Sequence, residues 1–175
     1  MQKYVAFLRA INVGGTSIIK MDALRRHFES FRLENVQTYI QTGNVIFESN
    51  EEDASRLERK IEKQLEQILG YNVAIFLRTI DEVALIAKSP LFEPRADETV
   101  HVVFLHKKPG TKASRELSGR NSKADEFGVS GREVYNLRHD RGDSVFSNQF
   151  IEKALGVPGT TRNLMTIRKI VEKYR

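Results

Sequence analysis

Three short polar segments hold the residues of this 175-residue chain best suited to chemistry. The first is Arg9-Ala10-Ile11-Asn12-Val13-Gly14-Gly15, where two adjacent glycines separate an apolar run from an amphipathic one. A glycine-rich turn between a strand and a helix lets backbone N–H groups close on a phosphate. Arg9 and Lys20 flank it, but the glycines carry neither the dinucleotide-binding fingerprint nor a phosphate-loop lysine. The second segment is Gln41-Thr42-Gly43-Asn44, a hairpin turn by its chemistry, since Gly and Asn tolerate positive φ. Its amides stand beside Arg9 and Asn12 if strands one and three are neighbours. The third is Thr160-Thr161-Arg162-Asn163, predicted to open the last helix. A helix N-terminus carries about half a positive charge and free N–H donors. Arg162 adds a planar fork matched to carboxylate or phosphate, and Thr166 and Lys169 share its helix face. These segments nominate Arg9, Asn12, Gly14, Gly15, Gln41, Asn44, Arg162 and Asn163 as the lining of an anion site.

Other chemistries have less to stand on. The chain has no cysteine, which excludes disulfides, thiolate zinc sites and thiol nucleophiles. The four histidines, His27, His101, His106 and His139, form no close metal-ligand pair. His139, Asp140 and Asp143 share a turn that would hold a metal only loosely, and no metal site is assigned. Arg141-Gly142-Asp143 reads as the same hairpin turn. No serine sits in a nucleophile elbow, because Gly128-Val129-Ser130-Gly131 lacks the spacing. An enzyme acting on a phosphorylated metabolite would need a general base, and His101 or His106 is its source. No catalytic residue and no cofactor is assigned.

Charge agrees with an anionic partner. Residues 1–90 hold 12 Lys/Arg and 12 Asp/Glu, whereas residues 91–175 hold 16 and 11, so the whole net charge of +5 lies in the second half. Two stretches carry it, Lys107 to Lys123 and Arg162 to Arg175. A one-sided basic surface attracts phosphorylated metabolites, nucleic acid or acidic proteins. The N-terminal apolar run, Tyr4 to Leu8, is too short for a signal-peptide core, and no run approaches a membrane span. The expected compartment is the cytoplasm, with no membrane partner.

The elements that must position these residues follow from periodicity. Tyr4 to Ile11 reads as a strand covered on both faces. Met21, Leu24, Phe28 and Phe31 form a helical stripe, and Val36 to Gln41 and Val45 to Ser49 form a hairpin. Asp53 caps a helix with the stripe Ala54, Leu57, Ile61, Leu65 and Ile68, which Gly70 ends. Val73 to Leu77 is the next strand, and Thr79 with Glu82 forms a capping box for a connecting helix running to about Lys88. The order β-α-β-β-α-β matches a ferredoxin-like unit. From Thr99 the order returns in outline: a strand at Val100–His106, a short helix at Lys112–Leu117, a strand pair across Ser130-Gly131-Arg132, a helix capped by Ser147, and a final helix from Thr161. The fold class is α+β, with tandem ferredoxin-like halves: βαββαβ, a linker helix, then βαββα plus a final helix. Residues 1–78 form the first half, 79–98 the connecting helix and linker, and 99–175 the second half. Strand three, Val45-Ile46-Phe47, lacks the aromatic signature of RNA-recognition domains, and Tyr4 and Phe7 point to opposite faces.

Several of these segments together resemble one family. Phe7 to Gly15, Met21 with Leu24, and Thr38-Tyr39-Ile40-Gln41-Thr42-Gly43-Asn44-Val45 carry the likeness. Gly131-Arg132-Glu133-Val134-Tyr135 and Thr161-Arg162-Asn163-Leu164-Met165-Thr166 extend it over nearly the whole length. The chain is similar to the bacterial family catalogued as domain of unknown function 1697. Leu164 departs from it, at a position where tryptophan would be favoured. The resemblance implies a small cytosolic α+β protein and carries over no catalytic residues. The functional expectation is binding of an anionic, phosphorylated small ligand or nucleic acid. A protein-interaction module using an open sheet face is the other non-enzymatic reading.

Overall fold

The computed structural model describes residues 1–12, 18–139 and 142–175. They form a mixed α/β structure with two four-stranded antiparallel sheets and six helices. The chain divides into two compact units, Met1–Val83 with Tyr174–Arg175, and Ala84–Lys173.

The first unit runs β1 (Gln2–Leu8), α1 (Met21–Ser30), β2 (Glu34–Tyr39), β3 (Asn44–Ser49), α2 (Ala54–Leu69) and β4 (Ile75–Thr79). The strand order is β2-β3-β1-β4, so β1 lies inside, with Val5 facing Ile46 of β3 and Arg78 of β4. Its side chains are buried on both faces, which explains its unbroken apolar run. One face, Tyr4, Ala6 and Leu8, packs with Leu24 and Phe28 of α1 and with Leu57, Ile61 and Leu65 of α2. Local chemistry sets the ends of α2. The Asp53 carboxylate accepts the Arg56 N–H at 3.0 Å, and Gly70, at φ 77°, closes the last turn on the Glu66 carbonyl at 2.9 Å. A reciprocal capping box opens α3 (Ile80–Lys88): the Thr79 N–H donates to Glu82 Oε2 at 2.7 Å, and the Glu82 N–H to Thr79 Oγ1 at 3.2 Å.

The second unit continues with β5 (Thr99–Leu105), α4 (Thr111–Ser118), β6 (Asp125–Ser130), β7 (Glu133–Arg138), α5 (Asn148–Leu155), β8 (Gly159–Asn163) and α6 (Leu164–Tyr174). Its order β6-β7-β5-β8 repeats that of the first sheet position by position. Val103, Leu105, Phe127 and Val134 pack with Leu117 of α4 and Ile151 and Leu155 of α5. The Ser147 hydroxyl accepts the Phe150 N–H at 3.0 Å and starts α5 as its sequence predicts.

Strand β8 is a correction. The segment expected to open the final helix at Thr161 is a strand, and α6 starts only at Leu164. Thr160, Thr161 and Arg162 pair in register with Phe104, Val103 and Val102 of β5. The two β-branched threonines suit that pleated surface, and Gly159 lets the strand approach. A Cβ there would meet Val103 Cγ1 at 2.6 Å. The second half is therefore βαββαβ followed by a helix.

Candidate functional site

Of the nominated residues, the structure brings Asn12, Gln41 and Asn44 to one end of the first sheet. Asn12 bridges two loops: its Oδ1 accepts the Ile19 N–H at 2.7 Å, and its Nδ2 donates to the Ile19 and Gln41 carbonyls at 3.0 and 3.2 Å. Asn44 is fully buried, and its Nδ2 donates to the Tyr39 carbonyl at 2.9 Å and Thr42 Oγ1 at 3.0 Å. Arg9 is half-buried, and its backbone N–H reaches the Ala74 carbonyl at 2.9 Å. Gln41 is exposed. Gly14 and Gly15 lie outside the described residues. Ala10, Asn12 and Ile40 all hold left-handed backbone, at φ 55°, 57° and 49°. Such conformations cost non-glycine residues about 1 kcal/mol each, and at Asn12 the side-chain hydrogen bonds offset that cost. The asparagine side chains at this end are thus engaged in holding the loops together.

Arg162 and Asn163 belong to the second unit; Arg162 lies inside β8, which corrects its helix-terminus reading, whereas Asn163 does stand at the start of α6. Arg162 projects from a strand and is 7% exposed. Its Nη1 donates to Thr160 Oγ1 at 3.0 Å and to the Thr161 carbonyl at 2.8 Å. Burial pulls its pKa down to about 10, so it remains a cation at neutral pH. Asn163 Oδ1 accepts the Met165 N–H at 2.8 Å, which caps α6.

Two histidines are tied into the second sheet. His139 donates from Nδ1 to Glu98 Oε1 at 2.8 Å and from Nε2 to Glu126 Oε2 at 2.9 Å. Both ring nitrogens are engaged by carboxylates; Asp140 lies outside the described residues. No group of three His, Cys, Asp or Glu suited to a metal occurs among the described residues. His101 Nδ1 meets Asn136 Oδ1 at 3.3 Å, and Asn136 Nδ2 donates to the buried Asp125 at 2.8 Å. Asp125 also accepts from the Ser144 hydroxyl at 2.9 Å and the Val145 N–H at 3.0 Å. Burial lowers the His101 pKa against the opposing Asn136 hydrogen bond, and Phe146 stacks on the ring at 5.0 Å. The row anchors the 144–147 loop over the end of the sheet.

Open space lies elsewhere. A cleft of about 410 Å³ is lined by Tyr4, Glu52 and Thr79. Burial, then the carboxylates of Glu51, Glu52, Glu82 and Asp53, raise the pKa of its Tyr4 phenol. A larger cleft, about 530 Å³, runs between α4 and the β6–β7 turn. Thr111, Ser114, Arg115 and Ser118 line it from one face of α4, at helical steps of three and four. Lys108 stands before the helix, and Val129 and Gly131 form the opposite wall. Among the described residues no Asp or Glu lines the cleft. Glu133 reaches its rim, with Oε2 3.6 Å from where a Gly131 Cβ would lie. Lys108 and Arg115 are exposed and join no ion pair among the described residues, whereas Lys112 turns to Glu116 at 4.0 Å. The Ser114 hydroxyl donates to the Gly110 carbonyl at 2.9 Å, and Thr111 and Ser118 bring two further hydroxyls to the lining. Helix α4 starts after Gly110 with no side-chain cap on its first turn. The sequence marks this region only as a basic stretch. The signal that singles out the cleft is the helical spacing of Thr111, Ser114, Arg115 and Ser118.

The family model described as Protein of unknown function (DUF1697) matches residues 1–135. The chain belongs to that family. The matched span contains the first unit's strands and helices and the whole α4 cleft, and stops before β8. Curated proteins yield no match. Among solved structures, the chain is similar to SP0830, a conserved bacterial protein from Streptococcus pneumoniae, with a TM-score of 0.72 and 22% identity. The alignment covers 98% of this chain and 97% of that one, so the likeness of fold extends past the family match to the C-terminal elements. No helix among the described residues is long and apolar enough to cross a membrane.

Proposed function

We propose that this protein binds an anionic, phosphorylated ligand in the cleft beside α4. The observation that carries the reading is the composition of that cleft: two exposed cations, Lys108 and Arg115, which join no ion pair among the described residues, beside the hydroxyl-bearing Thr111, Ser114 and Ser118, with no carboxylate among its described lining residues. Arginine offers the planar fork and lysine the point charge that phosphate oxygens take. The cleft lies in the unit that holds the entire charge excess. The loop end at Arg9, Asn12, Gln41 and Asn44 then serves the integrity of the first unit. Each unit is further read as ferredoxin-like, supported by the βαββαβ order and the strand orders β2-β3-β1-β4 and β6-β7-β5-β8.

The test is calorimetric titration with pyrophosphate and a nucleoside triphosphate, alongside thermal shift. A ligand at 100 times its dissociation constant raises stability by about 2.7 kcal/mol. A charge-assisted contact contributes roughly 1.5 kcal/mol, about tenfold in affinity. Lys108→Ala and Arg115→Ala should therefore each weaken binding about tenfold, and together abolish the thermal shift. A double variant that binds as tightly as the wild type, or a wild type that binds neither probe, sinks the proposal.

A further inference from the structure

A second cleft begins one residue along the chain from the first. It measures about 340 Å³ and is lined by Arg120, Phe150, Lys153 and Ala154. Both draw on the C-terminal end of α4: Ser118 and Gly119 line the first, and Arg120, the next residue, lines the second. The turn joining them is fixed, with the Gly119 N–H on the Arg115 carbonyl and the Arg120 N–H on the Leu117 carbonyl, both at 3.0 Å. Again no carboxylate lines the space among the described residues. The Arg120 guanidinium lies 5.8 Å from the centre of the Phe150 ring, and that ring is braced from behind by Phe127 at 5.4 Å. Lys107 and Lys123 stand exposed at either end of the same segment. From Lys107 to Lys123 there are six Lys/Arg and a single Glu, and that Glu faces Lys112.

A single phosphate is satisfied by the Lys108–Arg115 pair. Two further cations in a hollow that starts at the next residue have no use for it. A chain of phosphates does, and a hollow that combines cations with a braced aromatic face suits bases that stack beside the backbone. We propose that the α4 surface binds single-stranded nucleic acid. One phosphate sits at Lys108 and Arg115, and the strand passes the end of α4 so that the next part of the backbone meets Arg120 and Lys153. A base lies against the Arg120–Phe150 pair. The proposal rests on the α4 cleft being an anion site and extends it to a polymer.

Fluorescence anisotropy with a labelled twelve-nucleotide oligo-dT tests it across a salt series, with pyrophosphate binding measured in parallel. Arg120→Gln with Lys153→Gln should weaken oligo-dT binding at least tenfold and leave pyrophosphate binding at wild-type affinity. Removing two backbone contacts should also flatten the slope of log K against log salt by about 1.4. An abasic oligomer of equal length keeps the phosphates and loses the bases, and should bind about fivefold weaker or worse. Oligo-dT binding unchanged in that double variant, with pyrophosphate binding intact in the wild type, overturns this inference and spares the anion site. Binding of the abasic oligomer or of polyglutamate as tight as oligo-dT also overturns it. A wild type that binds neither pyrophosphate nor oligo-dT removes both readings.

Discussion

His139 shows what one side chain can reveal that its position in the sequence does not. With a carboxylate on each ring nitrogen, both bonds require two N–H donors, and only the imidazolium has them. The Glu98 hydrogen bond is the main cause raising the His139 pKa, burial opposes it, and Glu126 adds to the rise. Glu98 is held below its usual range, first by the Arg95 backbone N–H at 2.8 Å and then by His139. Arg138, next to His139 on β7, is the nearest like charge in sequence. The His139 contribution is complete below the unfolded histidine value, about 6.5, and is lost as pH rises through the raised folded value. The Glu98 contribution is present above the unfolded glutamate value and is lost as pH falls through its lowered folded value. The clamp between the start of β5 and strand β6 therefore holds at neutral pH and loosens on both sides. Titration of the His139 ring protons by NMR should give a midpoint above 6.5, and His139→Gln should remove the alkaline loss of stability. A midpoint at or below 6.5 contradicts the double hydrogen bond. In the sequence this residue reads only as part of a turn, because Glu98 and Glu126 lie 41 and 13 residues away.

At the scale of elements, what is legible in the sequence is what local chemistry decides. Helix α2 is readable end to end because Asp53 and Gly70 act within a turn of it, and α3 because Thr79 and Glu82 cap each other. Strand β1 is readable because its burial on both faces leaves no polar interruption. Strand β8 is not readable. Gly-Thr-Thr-Arg-Asn contains no apolar residue, and its start resembles a cap. It is a strand because β5, far back in the chain, pairs with it from Leu105 opposite Gly159 to His101 opposite Asn163. Arg162 reads as a helix-terminus residue for the same reason. The close approach of β8 to β5 has a direct test. A Cβ at Gly159 would lie 2.6 Å from Val103 Cγ1, 2.9 Å from Leu105 Cδ2 and 3.0 Å from the Phe104 carbonyl oxygen. The carbonyl is backbone and cannot step aside as a side chain can. Gly159→Ala should cost about 1–3 kcal/mol by overpacking, read as a lowered urea midpoint with an unchanged slope. Gly119→Ala is the control: its nearest neighbours stand at 3.5 Å, so its midpoint should stay within about 0.5 kcal/mol of wild type or rise. Equal midpoints for Gly159→Ala and wild type would mean that β8 does not approach β5 this closely.

Over the whole molecule, charge is divided as sharply as the fold is repeated. The first unit holds 12 Lys/Arg and 12 Asp/Glu, and the second 16 and 11, so two units of like topology differ by the full +5. Topology therefore does not explain the asymmetry, whereas a polyanion partner for one unit does. The alternative is that +5 acts as a diffuse net charge that merely draws any polyanion. Screening separates the two. At 0.1 M salt the Debye length is about 10 Å, so a cation far from the bound anion contributes little to its affinity. Two sets of four neutralising substitutions each take the net charge from +5 to the same lower value. One set is Lys108, Arg115, Arg120 and Lys153 to Gln, in the two α4 clefts. The other is Arg26, Arg59, Lys60 and Lys63 to Gln, exposed on α1 and α2 of the first unit. On a heparin column the cleft set should elute at markedly lower salt, and the first-unit set close to wild type. Exposed cations of this kind contribute little to stability, so both proteins should melt near the wild-type temperature, and the comparison reads binding alone. If the two sets elute together, net charge governs retention and the clefts have no special part in it.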